Sequence, residues 1–322
     1  MTTLLDHLPS RTMPVSTTTP AQRLRTTMAA VRVTFRWMGT QKTLSTEQKA
    51  QAAETFDAQG QFLSAAKKLL DTKHSAFRAV TAIRGKIDAY WKGLSLPFPE
   101  AGVRLIKHDA VEAFARQMAD FQVELDDAVV NLDRHYAELR STAVERLGSL
   151  YNASDYPETL VGLFGVGWDF PNVEPPDYLV QLSPGLYDQE RARVSARFEE
   201  AVQLAEQAFL DEFARLVTHL SERLTDQGGD VKVFRDSAVG NLDEFFARFR
   251  DLNVRNNAQL DELVAQAQRA VRGVGAQDLR DSGTLRRQVA SELTRVQSSL
   301  DALLVDRPRR RILRHAANPG DV

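Results

Sequence analysis

The spacing of apolar residues predicts an all-α protein: an elongated helical bundle with a long antiparallel coiled-coil hairpin and a small non-helical tip. Three observations lead to that fold class. From Val111 through Phe114, Met118, Phe121, Leu125, Val129, Leu132, Tyr136, Leu139, Ala143 and Leu147 to Leu150, apolar residues recur with a mean step of about 3.5 residues, the seam period of a left-handed coiled coil. A second stripe, Phe198, Val202, Ala205, Phe209, Phe213, Leu216, Leu220 and Leu224, steps nearer ~3.7 and predicts a straighter helix. Between them, residues 152–185 hold five of the twelve prolines and neither Lys nor Arg. Neither helix buries its stripe alone, so the two are expected to fold back on each other around that connector.

Taken in order, residues 1–19 read as a disordered tail rich in Thr and Ser, without the 7–15-residue apolar core of a secretory signal. Residues 20–98 read as an N-terminal helical base. Thr19-Pro20 is a capping hydroxyl followed by proline at the first helical position. Leu24, Met28, Val31, Phe35 and Met38 then form one helical face, closed by Gly39. Ser45 and Gln48 make a capping box for a second helical stretch, interrupted near Gly60 and continuing from Leu63 through Ile87 to Trp91. Leu-Pro-Phe-Pro at 96–99 breaks it, since each proline removes a donor and restricts its predecessor.

Residues 103–227 form the hairpin, with 152–185 as its acidic, aromatic tip, in which Tyr178–Leu182 has room to be a strand. Residues 228–306 read as a C-terminal helical base. A double glycine opens it and Val231–Phe234 is a short extended piece. Helices follow from Asp236 or Ser237, from Asn256 or Asn257 (ending at Gly273), and along Leu285, Val289, Leu293, Val296, Leu300 and Leu303. Residues 307–322 are a basic tail.

Composition narrows the function classes. The 322 residues are 43% hydrophobic and 26% charged, with a net charge of -2, which excludes a globally basic nucleic-acid coat. Without cysteine there is no disulfide, thiolate nucleophile or cysteine zinc site. The longest nearly apolar run, Leu160–Trp168, is about half the ~20 residues of a spanning helix, so a cytoplasmic protein is expected.

No motif identifies a reaction. The six histidines, at 7, 74, 108, 135, 219 and 315, include no H-E-x-x-H. Asp281-Ser-Gly-Thr284 has the letters of an aspartic-protease corner, which needs two such loops on a β scaffold; here it occurs once, between helices. Gly162, Gly165 and Gly167 lack the strand and helix context of a dinucleotide loop, and no Walker loop is present. No catalytic, cofactor-binding or metal-ligating residue is therefore assigned, and no enzymatic activity is expected.

Residues 233–253, VFRDSAVGNLDEFFARFRDLN, resemble a segment of an uncharacterised family of bacterial and phage long-helix proteins. Genes of that family often lie near AAA+ ATPases of the MoxR or CobS type. The resemblance covers about 20 residues with looser agreement through the preceding hairpin, and it carries no catalytic motif. It implies a mobile-element context and an AAA+ ATPase as a partner.

The expected function is that of a non-enzymatic structural or adaptor protein. Its arm and tip would engage its own copies, as a homo-oligomer, or the ATPase, with Phe164, Trp168, Phe170 and Tyr178 as the tip anchors. A second reading is a nucleic-acid-binding accessory protein using Arg307, Arg309, Arg310, Arg311 and Arg314 on phosphates. A third is a membrane-active helical pore former that inserts Leu160–Trp168, against which five nearby acids and five prolines argue. Charge is uneven: residues 1–42 carry six Lys or Arg against one acid, whereas the tip has five acids. Copies stacking head to tail would satisfy both.

Overall fold

The computed structural model describes residues 18–224 and 237–306. Thr19 caps α1 (Pro20–Thr27), its hydroxyl accepting from the Gln22 amide at 3.2 Å while the Gln22 side chain returns the bond. The chain then straightens into β1 (Met28–Arg36). A small insert follows, made of β2 (Gln41–Thr43), α2 (Thr46–Glu54, capped by Ser45 and Gln48) and β3 (Ala66–Lys68). Next come α3 (Ser75–Gly93), the hairpin β4 (Ser95–Pro97) and β5 (Val103–Lys107), α4 (Val111–Arg134) and α5 (Tyr136–Leu147). β6 (Gly165–Asp169) and the short α6 (Tyr178–Leu182) precede α7 (Pro184–Leu224), a helix of 41 residues. α8 (Ser237–Leu252), α9 (Ala258–Val271), α10 (Ala276–Asp281) and α11 (Gly283–Asp306) complete the order.

The all-α expectation is overturned by a four-stranded antiparallel sheet in the order β4-β5-β1-β6. β1 pairs with β5 over Met28–Arg32 and, on its other edge, with β6 over Arg32–Arg36. The β-branched and aromatic run Val31, Val33, Thr34 and Phe35 suits a pleated strand. Its two faces enter different cores. Met28 and Ala30 join Leu105, Phe198 and the helices of the C-terminal half, whereas Val31 and Val33 join Ile106, Phe114 and Phe164. The sheet is thus the middle of three layers, with α3, α4 and α5 on one face and α1 with α7–α11 on the other.

That layering also corrects the hairpin and the coiled-coil arm. The α4 stripe (Phe114, Met118, Phe121, Leu125, Val129 and Leu132) packs with Phe77, Val80, Ile83 and Ile87 of α3. The α7 stripe packs with Phe245, Phe246 and Phe249 of α8 and with Val289, Leu293 and Val296 of α11. Each stripe found a closer partner, so the two helices never share a seam. The first stripe is also two helices, broken at His135, whose amide bonds the Leu132 carbonyl at 3.1 Å in a tighter turn. Among the other expected elements, Tyr178–Leu182 is helical rather than extended. Residues 63–70 belong to the insert rather than to a helix. The tails and Val231–Phe234 lie outside the described residues.

Candidate interaction surface

Residues 152–185 are not a tip held away from a stalk; their middle is an edge strand of the sheet. Gly162, at φ +80°, turns the chain into β6, and Val166 and Trp168 point from that strand toward the α3–α4 side. Gly165 and Gly167, which alternate with them, face Arg36 and Thr34 of β1. A side chain at Gly165 would crowd the Arg36 guanidinium, and one at Gly167 would press on the Thr34 hydroxyl. The glycine cluster therefore serves strand packing.

The four anchor residues separate accordingly. Phe164 is 1% exposed and meets Trp37 edge-on at 5.0 Å and Phe77 at 6.3 Å, so it is a core residue and is corrected as an anchor. Trp168 is half-buried against the same core. Phe170 is partly exposed but leans edge-on against Phe114 at 6.4 Å. Only Tyr178, 62% exposed, stands free of the body. With Leu160, Phe164 and Val166 buried, the apolar run is not presented as a membrane tongue, and no helix among the described residues is long and apolar enough to cross a membrane.

Part of the charge asymmetry is neutralised inside the molecule. Arg25 pairs with Glu174 through two hydrogen bonds, and Arg32 grips Asp169 at 2.6 and 3.1 Å. Lys42 and Lys67 both reach Asp155, at 2.5 and 2.7 Å. Hydrogen bonds from the two lysines hold the Asp155 carboxyl below its ordinary range, and Arg32 does the same for Asp169. Three of the N-terminal cations thus neutralise three of the connector acids, and head-to-tail stacking is not needed to satisfy them. The Asp155 and Lys67 side chains are only 2% and 5% exposed, and Lys67 also donates to the Leu150 carbonyl at 2.6 Å. This buried pair ties the insert to the body.

Exposed apolar residues also cluster in sequence over 178–186, a run that sequence reading missed apart from Tyr178. Leu182 is 76% exposed, and Val180 and Leu186 are exposed beside it. They lie on α6 and the first turns of α7, where no side chain is buried before Val194. The sequence signal was present: the apolar stripe of α7 begins well after Pro184, so the helix starts before its core does. Beside this end runs a groove of about 580 Å³ between α1 and α7, lined by Thr19, Gln22, Arg25, Asp188, Arg191 and Ser195. A second exposed pair, Phe56 and Phe62, sits on the insert.

Other singled-out residues are structural. His74 and His135 come within 5.2 Å, ring to ring, across the start of α3 and the α4–α5 break. The His74 Nδ1 accepts the Ala76 amide at 3.3 Å as a helix cap. Among the described residues, no group of three or more metal-ligating side chains is gathered. Residues 237–252 of the run that resembles the long-helix family form α8, whose Phe245, Phe246 and Phe249 are buried on α7. Arg307, Arg309, Arg310, Arg311 and Arg314 lie outside the described residues. No family model, curated protein or solved structure matches this chain.

Proposed function

We propose that this is a cytoplasmic structural or adaptor protein that works without catalysis and binds another protein chain, its own copy or an AAA+ ATPase, through residues 178–186. The observation that supports this is the exposure of Tyr178, Val180, Leu182 and Leu186 in sequence proximity, on a helix end that nothing in the described chain covers. Apolar side chains presented together favour a protein partner, because burying them releases about 25 cal/mol for each Å² removed from water. The mixed charges nearby, Asp177, Asp188, Arg191 and Arg193, suit a protein rather than a lipid surface. The photo-crosslinking amino acid benzoylphenylalanine, placed at Leu182 of the full chain in cells, is expected to give one dominant protein adduct. The same probe at Ala79, exposed on α3, serves as the control. Adducts of equal yield at both positions, or none at Leu182, overturn the reading.

A further inference from the structure

We infer that His74 and His135 form a proton-sensitive clasp at the joint between the insert and the body. Neutral, the pair holds the first turn of α3; protonated, it lets that turn go. The clasp shares no residue with the contact surface at 178–186 and stands or falls independently of it.

His74 ends the segment that leads from the insert into α3 and is the cap of that helix, its Nδ1 accepting the Ala76 amide at 3.3 Å. Ser, Thr, Asp and Asn, the usual caps, keep their acceptor oxygen through neutral and mildly acidic pH. An imidazole does not: its second proton, taken up between about pH 5 and 8, turns the acceptor nitrogen into a donor aimed at another donor. The ring of His135, at the α4–α5 break, lies 5.2 Å away. With both rings charged, two cations meet there, and one of them sits at the positive end of α3. With Nδ1 spent on the amide, the neutral His74 ring carries its proton on Nε2 and has no lone pair left for a metal. The ligand this geometry takes is the proton.

The surrounding charges leave the cost on His74. On the joining segment, Asp71 accepts the Lys73 amide at 2.9 Å and pairs with Arg146 of α5 at 3.1 Å. At the end of α4, Asp133 accepts the Thr159 hydroxyl and the Leu160 amide. Glu138 of α5, 3.9 Å from the His135 Nδ1, favours charge on His135. Lys73 and Arg134 precede the two rings directly and Arg78 follows His74 by one turn, so all three add positive charge at the joint. The fold needs the neutral His74 ring and the opened turn does not. The turn is therefore held above the ordinary histidine value of about 6.5 and loosens as pH falls below it. The joint has room to move, since a cavity of about 190 Å³ walled by Leu69, Leu70, Leu139 and Leu147 separates it from α5. Asp155 stays paired with Lys42 and Lys67 well below that pH, so mild acid loosens the joint and leaves the anchor of the insert closed.

Amide hydrogen exchange of the full chain, corrected for the intrinsic pH dependence of exchange, tests this at about pH 7.5 and about pH 5.5. In the wild type, protection of the Ala76 amide should fall about fivefold or more on acidification, while that of Ile83, in the interior of α3, stays constant. His74→Asn keeps an acceptor that does not titrate and should hold Ala76 protection level at both pH values. His74→Ala has no acceptor and should be poorly protected at both. His135→Gln should retain the fall but make it shallower, because one of the two facing charges is gone. Equal wild-type protection at both pH values overturns the clasp, as does a fall in His74→Asn that matches the wild type. A parallel fall at Ile83, which marks general loosening of the helix, also overturns it, and a His135→Gln profile identical to the wild type overturns the role given to His135.

Discussion

The two sides of the sheet are built alike and finished differently. On one, α3–α5 close a core and the β2–α2–β3 insert projects from it; on the other, α7–α11 close a core and the first turns of α7 project. The insert is tied down by Lys67, Lys42 and Asp155, whereas among the described residues no ion pair or hydrogen bond reaches the Asp188 or Arg191 side chain on the α7 end. The insert also leaves Phe56 and Phe62 exposed, so the two projections differ in their anchoring and not in exposure. The α7 end leaves apolar and charged groups uncovered without such an anchor, and it points outward, to another molecule. The contrast between an anchored and an unanchored projection is the basis for the functional reading.

The largest test of the comparison is whether the two cores are separate. Phe114 and Phe213 are fully buried on opposite sides, the first stacked near Tyr90 at 5.9 Å and the second on Phe245 at 5.2 Å. Each Phe→Ala change should cost about 3–5 kcal/mol in urea unfolding. Because they share no neighbours, the double variant should be additive within about 0.5 kcal/mol. A coupling above about 1 kcal/mol in the double-variant cycle would restore a shared α4–α7 seam.

A smaller effect concerns the anchor of the insert. Asp155→Asn leaves Lys67 buried without its carboxylate. The cost should be about 2 kcal/mol, below the ~3–5 kcal/mol of a fully enclosed pair, because Lys42 approaches from solvent. Since the folded-state pKa of Asp155 is depressed by Lys42 and Lys67, the pair stabilises above the ordinary carboxylate value of about 3.9. That stability is lost as pH falls through the depressed value. The gap between wild type and variant should therefore be constant from about pH 5 to 8 and close in acid, as read by urea midpoints across pH. A gap that widens in acid contradicts the pairing.

The smallest expected effect is on the unanchored side. Tyr178→Ser with Leu182→Ser should change unfolding free energy by no more than about 0.5 kcal/mol, as for exposed positions elsewhere, when measured on chain diluted until it no longer associates. A loss above about 1 kcal/mol would show that the strip packs on its own body.

How much of this was legible follows from what local sequence encodes. The caps at Thr19 and Ser45 were readable because each is satisfied within three residues, the choice left between Asn256 and Asn257 falls to Asn257, and the long stripes correctly marked buried helix faces. What each stripe buries against is not a local property, and there the expected hairpin failed. β1 misled because Leu24, Met28, Val31 and Phe35 step by four, three and four, imitating a helix. A strand buried on both faces has no strict alternation to betray it. Its partners lie far along the chain, as Arg32 and Asp169 show at 137 positions apart. Of the expected anchors, Tyr178 was readable as an exposed aromatic in a proline-rich segment. Phe164 looked the same in sequence and was taken into the core by the strand that follows it.

The central position of β1 has a consequence for biosynthesis. It leaves the ribosome before either of its flanking strands exists. At about 5–20 residues per second, the 137-residue separation between Arg32 and Asp169 means a wait of roughly 7 to 27 s for the last strand. For that interval the nascent chain exposes a Val- and Phe-bearing segment whose β6-side hydrogen-bonding edge stays open even after β5 has emerged, a natural client for a holding chaperone.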